Sequence, residues 1–133
     1  ATAMNFRGPS KARVSMGSFG AYVFSRMSDF GELSDGVDQL LVSCTNDLVR
    51  TRRGRVWQAS IDTCRFHINI RPTLKVLAEV EDCLLDAELI PEEAPHTIGV
   101  STTATRTVDW IAISQFVVAL ATVSNGVVSG PTR

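Results

Sequence analysis

Between Leu48 and Arg71 the chain carries six arginines, Arg50, Arg52, Arg53, Arg55, Arg65 and Arg71, against a single acid, Asp62. Guanidinium groups at this density suit the binding of phosphates and carboxylates through planar, charge-assisted hydrogen bonds. From Arg65 onward the chain alternates. Phe66, Ile68 and Ile70 point one way and Arg65, His67, Asn69 and Arg71 the other, as in a strand packed on one face only. One face seeks a core and the other an anion. Between Arg55 and Ile61 the phase is opposite, with Trp57, Ala59 and Ile61 apolar and Gln58 and Ser60 polar. A one-residue shift exchanges the faces of a strand, so a bulge or tight turn is predicted around Asp62 to Cys64. The plainer alternative is that these arginines only solvate the wet side of a half-exposed sheet.

No other chemistry assembles in the sequence. G-x-S-x-G, P-loop and H-E-x-x-H motifs are all missing, and Gly17 to Gly20 lacks the strand-to-helix context of a phosphate loop. His67 and His96 have no nucleophile paired with them by any sequence feature. The seven carboxylates between Glu79 and Glu93 are too many and too solvated to form a tuned acid–base pair. Cys44, Cys64 and Cys83 are too few for a disulfide scaffold and lack zinc-ribbon spacing. Cys64 and His67 form C-x-x-H, but on one strand they face opposite ways. The expectation is a protein that is not an enzyme, with no metal, no cofactor and no small-molecule substrate.

The elements that must position the arginines follow from the same periodicities. The 133 residues fit one domain, 1–133. Ala1 to Lys11 reads as an irregular arm. Ala12 to Met16 and Ala21 to Arg26 read as strands of a hairpin turning at Gly17 to Gly20. Ser28 to Gly36 reads as a turn-rich stretch. Asp38 to Asn46 is predicted as a strand, with Leu40, Val42 and Cys44 on one side and Gln39, Ser43 and Thr45 on the other; a helix over Val37 to Val49 is the alternative. Thr73 to Leu89 is predicted as a strand leading into a long acidic loop, against an amphipathic helix. His96 to Thr105 reads as a strand with Ile98 and Val100 opposite Thr97, Ser101 and Thr103. A helix capped by Thr105 or Thr107, with Asp109 in its first turn, should run from near Val108 to a left-handed turn at Asn125-Gly126.

That last helix is apolar nearly all round, so it needs cover on several sides. One small sheet covers one side, which points to a partner subunit. Trp110, Ile113, Phe116, Val117 and Leu120 are therefore expected at a dimer interface. No signal-peptide pattern is visible, and the apolar run from Trp110 to Val123 is too short to span a bilayer. The net charge of −1 divides unevenly: residues 1–72 hold ten Lys/Arg and six Asp/Glu, residues 73–133 three and eight. Such asymmetry predicts a basic surface facing an anionic partner and an acidic surface kept away from it.

In pattern and order the chain resembles the coat proteins of single-stranded RNA bacteriophages. The stretch LLVSCTNDLVRTRRGRVWQASI, residues 40–61, is similar to that family's two central strands joined by a basic turn. HTIGVSTTATRTVDWIAISQFVVALATVSNG, residues 96–126, is similar to its last strand running into the dimer-covering helix. The resemblance implies an α+β fold: an N-terminal β-hairpin, an antiparallel meander, and a C-terminal helix covering the sheet of a partner in an interlocked homodimer. It implies an icosahedral virion shell assembled in the host cytoplasm around single-stranded RNA. An RNA hairpin acting as translational operator is a possible ligand in such a system. Carried over by position, the RNA face would comprise Ser43, Thr45, Arg52, Arg53, Arg55, Gln58 and Ser60, extended by Arg65, His67, Asn69, Arg71, Ser101 and Thr103. Two rivals are a matrix-like self-associating protein of an enveloped RNA virus and a small α+β ligand-binding or enzymatic domain.

Overall fold

A nine-residue strand with a clean inside and outside sets the architecture. In β4 (Cys64–Pro72), Cys64, Phe66, Ile68 and Ile70 are buried while Arg65 and His67 are exposed. The computed structural model describes residues 19–44, 51–61, 64–102 and 106–129. Among these residues the remaining strands are β1 (Phe19–Ser25), β2 (Thr51–Arg53), β3 (Val56–Ile61), β5 (His96–Thr102) and β6 (Gly126–Ser129). All pair antiparallel in the order β2-β3-β4-β5-β1-β6. Three helices, α1 (Phe30–Cys44), α2 (Leu77–Asp86) and α3 (Thr107–Val123), complete an α+β fold.

The phase flip between β3 and β4 is a hairpin. Pairing runs Val56 with Asn69, Trp57 with Ile68, Ala59 with Phe66 and Ile61 with Cys64. Trp57, Ala59, Phe66 and Ile68 thus share one face, where they meet Ala21, Val23, Ile98 and Val100. Helices α1 and α3 seal that face with Leu33, Val37, Leu41, Ile113, Phe116, Val117 and Leu120. On the other face, Val80 and Leu84 of α2 pack with Leu89 and Ala94 against Phe24. Helix α2 covers the β1 end of this face and leaves the β3–β4 end open.

Three expectations are corrected. Residues 38–44 are helical, not a strand. Asp29 Oδ1 accepts the Glu32 N–H at 3.1 Å, the capping contact that starts α1. Leu33, Val37, Leu40 and Leu41 then recur at helical spacing and bury. Val42, assigned to a core side by the alternating pattern, is 53% exposed. Residues 73–86 form a 3-10 turn, Thr73–Val76, followed by α2. The apparent alternation of Leu74, Val76, Ala78 and Val80 is incidental, for Leu74 is 72% exposed and only Val80 of the four is buried. At α3 the capping position is Arg106, with no side-chain cap. Thr107 lies inside the first turn, and Thr105 is outside the described residues. Asp109 instead pairs with Arg106 at 2.9 Å.

The helix ends as expected, with Asn125 at φ 51°. Gly126 follows because a Cβ there would stand 2.7 Å from Val23 Cγ1 and 2.9 Å from the Phe24 carbonyl. This turn returns the chain as β6, a strand the sequence reading did not contain. Ala12 to Met16, the first half of the predicted N-terminal turn (Gly17 and Ser18), and Asp62–Thr63 lie outside the described residues, and Phe19 and Gly20 already belong to β1.

The burial against a partner expected of Ile113, Phe116, Val117 and Leu120 is also corrected. Ile113, Phe116, Val117 and Leu120 are buried in the chain's own core by its sheet and α1, and Trp110 is half-buried. Phe116 stacks obliquely on Phe66 with centroids 4.9 Å apart. Phe116→Ala should therefore cost about 3–5 kcal/mol of folding stability, and Phe116→Asp should unfold the chain. Denaturant unfolding followed by circular dichroism checks this; a Phe116→Asp chain that keeps the parent midpoint and only loses self-association would refute it.

Candidate anion-binding face of the sheet

The strand register gathers most of the sequence-predicted polar residues on one surface. Gln58 of β3 stands opposite His67 of β4, and His67 opposite Ser101 of β5, a row across three strands. Ser60 pairs with Arg65 in the next row, and Val56, Asn69, Gly99 and Tyr22 form the row on the other side. Gln58, Arg65, His67 and Ser101 are exposed, and Ser60 and Asn69 half-buried. Pairing of Arg53 with Val56 brings Arg53 to the same face at the β2 edge. The turn joining β2 to β3 is Gly54-Arg55, in which Gly54 supplies φ 63°.

Not every predicted residue joins this face. Arg52 lies opposite Trp57 and turns to the helical side. Its guanidinium sits 4.8 Å from the Trp57 ring centroid and donates to Asp38 Oδ2 of α1 at 3.0 Å. The buried Trp57 indole N–H donates to the other oxygen of Asp38 at 2.7 Å. Arg52 is thus a brace between α1 and β3. Arg55 stacks on Phe30 at 4.0 Å from the ring centroid, again toward α1. Ser43 is on α1, where it donates to the Leu40 carbonyl at 2.8 Å. Thr45 and Thr103 lie outside the described residues. Thr97, expected on a hydroxyl-lined surface, is buried, sharing a hydrogen bond with Thr73 at 2.8 Å.

Arg71 marks where the open half ends. Its Nη1 and Nη2 donate to Glu79 Oε1 and Oε2 of α2 at 2.9 and 2.8 Å, a bidentate pair. Tyr22 Oη donates to Glu79 Oε2 at 2.7 Å. The Arg71 hydrogen bonds and the Tyr22 hydroxyl hold Glu79 below its ordinary range, and Glu79 in turn raises Arg71. Burial, then the Glu79 carboxylate, push the Tyr22 phenol above its ordinary value.

The acidic segment was expected away from the basic surface. That expectation is corrected, because α2 packs on the same face of the sheet and Glu79 reaches into it. Sequence reasoning missed Tyr22, Glu79 and Asp38. Their only signal was position: Tyr22 alternates with Ala21 and Val23, and Glu79 and Asp38 flank buried residues at helical spacing.

Among the described residues no cluster of His, Cys, Asp and Glu is arranged to hold a metal, and no helix is long and apolar enough to cross a membrane. Compared with known proteins, the chain matches no family model, no curated sequence and no solved structure.

The Tyr22–Glu79–Arg71 cluster predicts a pH profile. Glu79 keeps its charge to lower pH folded than unfolded. Its contribution to stability is therefore complete above 4.5 and lost as pH falls through its lowered value. Tyr22 works in the other sense, since its raised value makes its contribution complete below 10.0 and lost as pH rises above it. Melting temperature measured against pH should lose part of its acid limb in Glu79→Gln. In Tyr22→Phe part of the alkaline limb should disappear. Limbs identical to the parent in both variants would count against an anchor here.

Proposed function

We propose that the protein is a viral coat protein that binds single-stranded RNA on the open half of its sheet and self-assembles, through homodimers, into an icosahedral shell. The observation that carries this reading is the convergence of Gln58, Ser60, Arg65, His67, Asn69 and Ser101 from three strands onto one accessible face, the opposite face being sealed core. Arg65 and Arg53 supply phosphate contacts. Gln58, Asn69 and Ser101 offer hydrogen bonds to splayed bases, and His67 offers a ring for stacking. Tyr22, the aromatic nearest this face, is engaged with Glu79 and stacked on Phe24.

Contact between copies has support of its own. No charged side chain occurs between Trp110 and Val128. On α3, Val108, Ile111 and Val118 remain exposed on the side turned away from the core. A twofold contact through this uncharged stripe incurs no like-charge repulsion. The short β2 edge carries Arg52 and Arg53, whereas the β6 edge, Gly126–Ser129, has no charge to discourage strand pairing. The dimer proposed here uses these surfaces side by side, with each copy's helices covering its own sheet.

Expression of the full chain followed by electron microscopy and nucleic-acid absorbance tests the reading. Uniform spherical particles containing RNA are expected. Arg53→Gln and Arg65→Gln should each lower the slope of log affinity against log salt by about 0.7, with unchanged melting temperature. Arg52→Gln should instead lower the melting temperature, because it removes the Asp38 brace. A discrete monomer with salt-independent RNA affinity would overturn the proposal, as would flotation with anionic liposomes in place of particles.

A further inference from the structure

The open half of the sheet is bounded on one side by a carboxylate. Along β4 the outward residues run Arg65, His67, Asn69, Arg71, so a polyanion lying on the strand would meet one arginine at each end. The two differ in what already holds them. Arg65 is exposed, whereas the Arg71 side chain is 28% exposed, both its terminal nitrogens donate to Glu79, and its Nε is buried without a partner. The planar fork that would clamp a phosphate is already filled by an oxyanion of the protein's own.

Glu79 is itself held from two sides, by Arg71 and by Tyr22, and is carried on a helix fixed beneath by Val80 and Leu84. Its neighbours on α2 continue the same sign, with Glu81, Asp82 and Asp86 all exposed. A phosphate approaching Arg71 must displace a bidentate carboxylate and enter a region of like charge.

We infer that Glu79 is the boundary of the RNA site: it occupies Arg71 as an internal phosphate mimic, so that helix α2 fixes where a polyanion stops on the sheet. Arg71 is then a positioning residue for α2 and not a phosphate ligand. This inference rests on the RNA-binding reading and adds to it a limit on the footprint.

The test is a salt series of affinities for a fluorescein-labelled oligouridylate, using the full chain and four variants. Arg65→Gln should lower the slope of log affinity against log salt by about 0.7, and Arg71→Gln should leave it unchanged. Glu79→Gln should raise it by about 0.7, since it frees the Arg71 charge, and should tighten binding at low salt. The double variant Arg71→Gln/Glu79→Gln should return to the parent slope. A glutamine at position 79 still accepts a hydrogen bond from Arg71, so the Glu79→Gln arm decides even if Arg71→Gln loosens α2. The inference is overturned if Arg71→Gln lowers the slope as Arg65→Gln does, or if Glu79→Gln leaves it at the parent value. If Arg65→Gln also has no effect, the RNA-binding reading fails and the boundary with it.

Discussion

Strand β4 is buried on one face and divided on the other, and the rest of the molecule accommodates that condition. Inward, Cys64, Phe66, Ile68 and Ile70 occupy a core that α1 and α3 must close together, since neither helix alone spans a six-stranded sheet. Outward, the strand passes from exposed Arg65 and His67 to Arg71 beside α2. Covering the second face completely would bury a row of cations and amides, each costly without a partner. Covering none of it would expose Phe24, which is fully buried under Val80 and Leu84. Helix α2 therefore stops partway, and the Glu79–Arg71 pair lies at the seam.

The strands whose two faces were legible in the sequence were those with one wet face, whereas β1 was legible as a strand and is covered on both. In β3, β4 and residues 98–102 of β5 the period of two is physical, because burial and exposure alternate along the chain. Where a helix packs, the same letters mislead. Leu40, Val42 and Cys44 alternate in sequence, yet the stripe that buries is Leu33, Val37, Leu40 and Leu41, which begins inside a stretch that reads as turns. Likewise Val80 and Leu84 sit at i and i+4 within a segment whose first residues imitate a strand. Helix α3 was legible from its length and its Asn125-Gly126 stop. Its packing was not, because much of the apolar surface read as surplus is met by α1, which the sequence reading held only as the alternative helix over Val37 to Val49.

The arginine cluster divides for a related reason. Neighbours along a strand point to opposite faces, so Arg52 and Arg53 of β2 cannot serve the same surface. Arg52 falls on the side of Trp57, whose buried indole N–H needs an acceptor. Asp38 supplies one oxygen to the indole and the other to Arg52. Arg52 balances the carboxylate that accepts the indole N–H at the edge of the core, so the arginine is part of how Trp57 is buried. Density of basic residues in sequence is thus a poor guide to density on a surface, and the strand register is the better one.

The same reasoning explains how a chain of net charge −1 can present a positive patch. Pairing withdraws charge selectively. Arg52, Arg71 and Arg106 are each matched by a carboxylate from a helix, Asp38, Glu79 and Asp109. The exposed acids of α2 lie on the covered half of the second face, while Arg53 and Arg65 lie on the half it leaves open. At a screening length of about 8 Å in physiological salt, a ligand on β3 and β4 responds mainly to the charges directly beneath it and little to the chain's total. Local arrangement therefore governs what this surface attracts, and the ion pair at its border decides how far that attraction extends.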